Sequence, residues 1–400
     1  MRSNAPTGLI HYLLAAIPAR IVTGGAAVAT ILLARSSNMD GTTAGLMAAC
    51  LTAPHVLGPL YGRWLDNTSD PRFIIAGACF LFAVSFQLAI EGFEAQTLLP
   101  TMLALLVCGM CSSFMMGGLS TQVVKLVGSE LTEKRKAQSW DTFTYGLGLT
   151  LGPMLTALLT DVYSVPLSVR ILMSSAVVAG LLTFFIPLKM HKKADDAQQP
   201  ASLSQVVDIL RQSGALKRTL LMTSSAAFSI SALPVLSVYL SESWMRSQQS
   251  GAYLVTLYGV GCLCGSVFLM MRPMCQDALV LLRNVGALLI VVLSLVIVSP
   301  SYSAGLFAYW LCGVVNAVFF AVTLAARSDY APAQGAAQIY MWVAAAKISF
   351  ASLGAFAAGL LVDVAVKLPL FASCCVLLMS LLLCFALPRF PAQSRVTKRS

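Results

Sequence analysis

The sequence predicts an all-α integral membrane protein, with twelve transmembrane helices arranged as two six-helix bundles. Three observations carry that prediction. The 400 residues are 58% hydrophobic and only 10% charged, with a mean hydropathy of +0.81, which is more apolar sequence than one soluble core buries. Apolar runs of about 20 residues, the length that crosses a hydrocarbon core of about 30 Å as helix, recur from Leu9–Ala34 to Leu368–Leu387. These runs fall into two groups of six, separated by the polar stretch His191–Lys217. Residues 1–190 therefore read as the first bundle, 191–217 as a linker, 218–390 as the second bundle and 391–400 as a tail.

The first run follows Arg2 but is too long for a signal-peptide core, so it reads as a retained span. It carries Arg20, placed after Pro18 and before Gly24-Gly25, where a local bend is expected. A cation near the bilayer centre costs about 2.5–3.5 kcal/mol on insertion scales and defaults to a functional reading until a partner is found. In the second span His55 follows Pro54. Its near-neutral titration suits proton relay or a substrate hydrogen bond, and equally a histidine satisfied by a backbone carbonyl.

Between spans two and three lie Gly58-Pro59, Gly62, Asp66, Asp70-Pro71 and Arg72. Glycines allow close helix approach, Asp70-Pro71 forces a turn, and Asp66 is positioned to accept from Arg72 or from a helix N-terminus. This layout of Gly62, Asp66 and Arg72 resembles the signature of the major facilitator superfamily, and the twelve-span, two-half layout resembles it over essentially the whole chain. The resemblance implies a secondary transporter working by alternating access, with spans one and eleven bordering a central cavity.

Span four holds Cys108 and Cys111, read as small apolar filler, and has no counterpart of the superfamily's span-four arginine. Span five begins near Asp141, the plausible intramembrane partner for a buried cation and a proton-coupling candidate alongside His55. It continues through Gly148, Gly152 and Pro153, which are similar to the span-five motif of the antiporter branch. A proline kink beside two glycines suits a rocking helix packed against the opposite half.

Within the linker, Leu203, Val206, Val207 and Leu210 sit at the spacing of one helical face, which suggests a short amphipathic surface helix, the alternative being an unstructured linker. Span ten contributes Asn316 as a polar candidate. Span eleven carries Lys347 beyond Tyr340 and Trp342, with Ser349 and Ser352 nearby. It also repeats span five: Gly152, Leu158, Leu159, Asp161 and Val162 recur as Gly354, Leu360, Leu361, Asp363 and Val364, at an offset of 202. That repeat supports two related halves.

The two buried cations outnumber the buried acids, so Arg20 and Lys347, with His55, Tyr340, Trp342 and Asn316, are expected to bind an anionic substrate such as a carboxylate or hydroxamate. A negative-inside potential opposes anion entry by about 2.3 kcal/mol per charge per 100 mV. No carboxylate lies at mid-depth to carry compensating protons, so export or exchange of a small organic anion, a siderophore or other metabolite, is expected. The alternatives are a multidrug/proton antiporter and, against three scattered histidines, a membrane-embedded enzyme.

If the N-terminus is cytoplasmic, only Arg35, Arg170, Arg246 and Lys367 of the 26 basic residues fall in external loops. Both termini are then cytoplasmic, in a bacterial inner membrane, and the +10 net charge needs no nucleic-acid partner. The expected partners are the bilayer, the anion and protons. A monomer without cofactor or metal is expected.

Overall fold

The computed structural model describes residues 5–58, 64–65, 68–123, 126–127, 131–187, 208, 212–271, 276–331 and 336–386. Gly62, Asp66 and nearly all of the amphipathic stretch at 203–211 lie outside the described residues.

The first six traverses are α1 (Ala5–Ser36), α2 (Gly41–Thr52, continued by a 3-10 turn Ala53–Leu57), α3 (Pro71–Glu94), α4 (Leu98–Val123), α5 (Leu131–Thr160) and α6 (Val165–Thr183). The second six are α7 (Gly214–Ser243), α8 (Ser250–Met271), α9 (Ala278–Val298), α10 (Tyr302–Tyr330), α11 (Ala336–Val362) and α12 (Leu368–Ala386). Among the described residues ten helices are long and apolar enough to span a membrane unaided. The split α2 and the shorter α12 complete the twelve.

Local chemistry sets the helix ends. Asp40, Asp70 and Asp277 accept from backbone N–H groups at the starts of α2, α3 and α9, and Pro71 occupies a first-turn position where its missing N–H costs nothing. Two helices break internally. A π-helical turn, Phe114–Gly118, interrupts α4, and α7 changes direction at Ser231, three residues before Pro234.

The packing follows the duplication. In the first half α1 lies against α5 and α6, while α3 lies against α4 and α6; in the second, α7 lies against α11 and α12, while α9 lies against α10 and α12. The seam between halves is made by α2 with α11, α5 with α8 and α1 with α7. On α9, Leu288, Val291, Leu295 and Val298 form an exposed apolar stripe, as do Leu81, Val84 and Leu88 on α3. Such stripes suit contact with acyl chains. The end of α12 and all odd-numbered helix starts share what we term the near face; the α1–α2, α5–α6, α7–α8 and α11–α12 connections share the far face.

Gly148 and Gly152 of α5 do not face the opposite half as expected. A Cβ on Gly148 would lie 2.4 Å from the Arg20 carbonyl oxygen, and one on Gly152 would lie 2.3 Å from the Gly25 nitrogen, so both seat α5 on α1 within the first half. Close approach across the seam comes from Gly259 of α8, whose added Cβ would lie 2.3 Å from the Leu149 carbonyl oxygen, from Gly146 of α5 against Leu263, and from Gly45 of α2 against Gly359 of α11. Pro153 sits inside a helix that continues through it.

Candidate functional site

A cavity of about 360 Å³ lies at the seam, enclosed mainly by α7, α8, α10 and α11 and closed on the first-half side by Thr23, Gly24, Ala27 and Val28 of α1 and Leu149 of α5. Its walls are mostly apolar. Polar atoms come from Thr223, Ser231, Tyr258, Tyr309, Asn316, Thr323 and Lys347. The bend in α7 places Ile230, Ser231 and Pro234 in the wall.

Lys347 projects its ammonium over the Phe320 ring, 4.0 Å from the ring centroid. Among the described residues no carboxylate lies within ion-pair distance of it. A cation resting on a ring quadrupole keeps its charge available to an incoming anion. Asn316 donates to the Tyr258 hydroxyl at 2.7 Å. Tyr309 donates to the Leu233 carbonyl at 3.0 Å, anchoring the bent segment of α7. On α10, Asn316, Phe319, Phe320 and Thr323 all line the cavity, at the i, i+3, i+4, i+7 spacing of one helical face.

Arg20 belongs to a different place. It is 1% exposed and outside the cavity wall. Its guanidinium donates to the carbonyls of Met115 and Met116 at 2.8 and 2.9 Å, to the Ser120 hydroxyl at 2.9 Å and to Asp141 at 3.3 Å. It also stacks over the Tyr145 ring at 3.9 Å. Tyr12 donates its hydroxyl to the same Asp141 carboxylate. The π-helical turn of α4 supplies the two carbonyls, because its altered bonding turns backbone acceptors outward. Arg20 thus closes a polar network of α1, α4 and α5, and the expectation that it shares one cavity wall with Lys347 is not what the geometry gives.

The remaining candidates separate in the same way. His55 places Nδ1 3.1 Å from the Thr52 carbonyl inside the 3-10 turn, away from the cavity wall. Trp342 packs beside Ile339 and Val343 at the near end of α11; the Tyr340 side chain lies outside what is described. Arg72 engages Asp70 with contacts of 2.7–3.1 Å and donates to the Ile186 carbonyl at 3.2 Å, while the expected partner Asp66 lies outside the described residues. The hydrogen bonds from Arg72 hold the Asp70 carboxyl below its ordinary range.

Sequence reading overlooked Tyr258, Phe320 and Tyr12. The helical spacing of Asn316, Phe319, Phe320 and Thr323 was a usable signal. Nothing in the sequence marks the π-helical turn that consumes Arg20.

Between described residues, every side-chain tie joining the halves lies at the far face or at mid-depth. Arg35 of α1 pairs with Glu242 of α7 at 3.0 Å. Asp363, just past α11, accepts from the backbone of Gly41 and Thr42 at 2.7 and 2.8 Å. Asp161, just past α5, accepts from Tyr253 of α8 at 2.6 Å. Thr52 and Ser352 share a hydrogen bond of 2.8 Å at mid-depth, and Lys347 lies five residues nearer the near face than Ser352.

Residues 12–346 match the family model described as Major Facilitator Superfamily. No curated protein matches the chain significantly. Among solved structures it is similar to a bacterial homolog of the human lysosomal transporter Spinster, inward-facing and unoccupied (TM-score 0.73, 11% identity, covering 96% of this chain and 97% of that one). A POT family transporter in complex with 5-aminolevulinic acid gives a TM-score of 0.74 at 13% identity, covering 95% and 96%. The nucleoside transporter NupG gives 0.67 at 13% identity, covering 95% and 98%.

Proposed function

Because the chain belongs to the major facilitator superfamily, and is therefore a membrane transporter and not an enzyme, we propose that it moves a small organic anion by alternating access, as export or exchange. The observation that carries this reading is Lys347: a cation on the wall of the seam cavity with an aromatic ring beside it and, among the described residues, no carboxylate. A charge placed there at the bilayer's expense is offset when the counter-charge arrives with the substrate. Siderophores with a free carboxylate or hydroxamate are members of the class.

In this reading the near face is cytoplasmic, following the basic residues of the loops, in a bacterial inner membrane. The halves 1–190 and 218–390 rock about the seam, with 191–217 as their tether and 391–400 as a cytoplasmic tail. Ties at the far face together with a cavity below Ser352 suit a state facing the cytoplasm. Gly148, Gly152 and Pro153 make α5 and α1 move as one body, and Gly62, Asp66 and Arg72 take the gating role between the second and third spans. Of the proton-coupling candidates, Asp141 is the one whose protonation would release a network, since Tyr12 and Arg20 both depend on its charge.

The apolar walls favour a second reading, efflux of amphiphilic drugs against protons. Proteoliposome transport separates the two. Labelled carboxylates should move in the wild type and stall in Lys347→Met, whereas a drug pump would continue to move neutral and cationic amphiphiles in that variant. Equal anion rates in both proteins would refute the anion reading.

A further inference from the structure

We infer that the cavity selects a monoanion with a flat apolar body and one hydrogen-bond donor, about one helical turn from its charged group. This rests on the cavity being the substrate site. Lys347 is the cation on the wall, so a second negative charge on the ligand would be desolvated without a partner. Asn316 spends an N–H on Tyr258 and accepts no hydrogen bond from a described residue, which leaves its carbonyl oxygen to take a donor from the ligand. Phe320 carries the Lys347 ammonium and follows Asn316 by four residues on α10, so the two polar anchors stand roughly 6 Å apart along the helix. That is the span of a six-membered ring, and Phe319, Phe320 and Leu149 supply apolar faces for it. The volume of about 360 Å³ lies at the small end of ligand pockets and suits a single ring system with modest substituents.

Purified full-length protein in nanodiscs tests this with five probes: 4-hydroxybenzoate, benzoate, 4-hydroxybenzamide, terephthalate and citrate, with binding measured calorimetrically. The expected order places 4-hydroxybenzoate first, benzoate weaker, and the neutral amide and the polyanions at least about tenfold weaker. Lys347→Met should remove the preference of acid over amide. Asn316→Leu should remove the preference of 4-hydroxybenzoate over benzoate while keeping that of acid over amide. If citrate or terephthalate binds best and still depends on Lys347, the substrate class is wrong and the anion site stands. If no probe distinguishes wild type from Lys347→Met, the anion site itself falls, and the class with it.

A separate observation at the far face carries a second proposal. Asp161 and Asp363 occupy equivalent positions of the two halves, and each reaches across the seam to the start of the equivalent helix in the other half, α8 at Tyr253 and α2 at Gly41 and Thr42. Asp363 satisfies N–H groups that a helix start leaves open. We propose that the pair is a two-fold-related latch that opens as one unit. Hydrogen–deuterium exchange tests it on Asp363→Ala. The latch predicts faster exchange at 41–52 and also at 250–258, which the substitution does not touch. Acceleration confined to 41–45 would make Asp363 a local cap and overturn the latch, as would no acceleration at all.

Discussion

Arg20 in the first half and Lys347 in the second are both cations within membrane-spanning helices, and the two have opposite circumstances. Arg20 in the first half meets two carbonyls, a hydroxyl, a carboxylate and an aromatic face. Lys347 in the second half meets a single ring at the edge of a cavity. The planar guanidinium suits the crowded network because it offers several donors at fixed angles, and the ammonium suits a mobile partner because it is a compact point charge. Depth in the membrane marks a charge as costly, and only its surroundings decide whether the fold or a ligand offsets it.

The largest expected effect separates the two on stability. Arg20→Met leaves Asp141 buried against Tyr12 without its cation, which should cost about 3–5 kcal/mol, read as a large fall in thermal unfolding temperature in nanodiscs. The double variant Arg20→Met/Asp141→Leu should recover most of that loss, since replacing both partners removes the orphaned charge. An unchanged unfolding temperature in the single variant would break the comparison from the Arg20 side.

Next in size is Lys347→Met, which should leave unfolding temperature level or raised, because it removes a cation that no carboxylate pairs. Anion affinity should fall by about 1.5–3 kcal/mol, the worth of a hydrogen bond to a charged group. A large stability loss without an affinity change would reverse the assignment. Gly148→Ala comes third: its Cβ would meet the Arg20 backbone at 2.4 Å, an overpacking cost of about 1–3 kcal/mol. The loss should appear in unfolding temperature and should be about the same in a background where the Arg20 side chain is already replaced, because the contact is with backbone atoms.

The smallest effect comes from the surface ion pair of Arg72 and Asp70, used as a reference. Asp70 is held below its ordinary range by hydrogen bonds from Arg72. It therefore adds stability above the unfolded aspartate value of about 3.9 and loses it as pH falls through the lower folded value. Asp70→Asn should cost less than about 1 kcal/mol at neutral pH and should raise the pH at which acid unfolding begins.

Much of the architecture was legible in the sequence because membrane spans announce themselves by length and hydropathy, and because the Gly152–Val162 and Gly354–Val364 repeat fixes the pairing of the halves. Lys347 and Asn316 were legible as wall candidates because a polar residue in an apolar run has few other uses. Arg20 was misplaced on the cavity wall for a physical reason. Its main partners are backbone carbonyls turned outward by the α4 π-helical turn, and backbone acceptors leave no trace in composition. The direction of Gly148 and Gly152 was misread for a related reason: glycine spacing shows that a helix packs closely, but not against which neighbour. Asp161 and Asp363 were visible as a repeat, and only the folded seam shows each reaching into the other half.

The measurement that bears most directly on the division between a structural and a ligand-facing cation is calorimetric binding of 4-hydroxybenzoate and 4-hydroxybenzamide to three proteins: wild type, Lys347→Met and Arg20→Met/Asp141→Leu. The account predicts that the acid is preferred over the amide in the wild type and in the Arg20/Asp141 double variant, and that the preference disappears in Lys347→Met. Loss of the preference in the double variant with retention in Lys347→Met would contradict it.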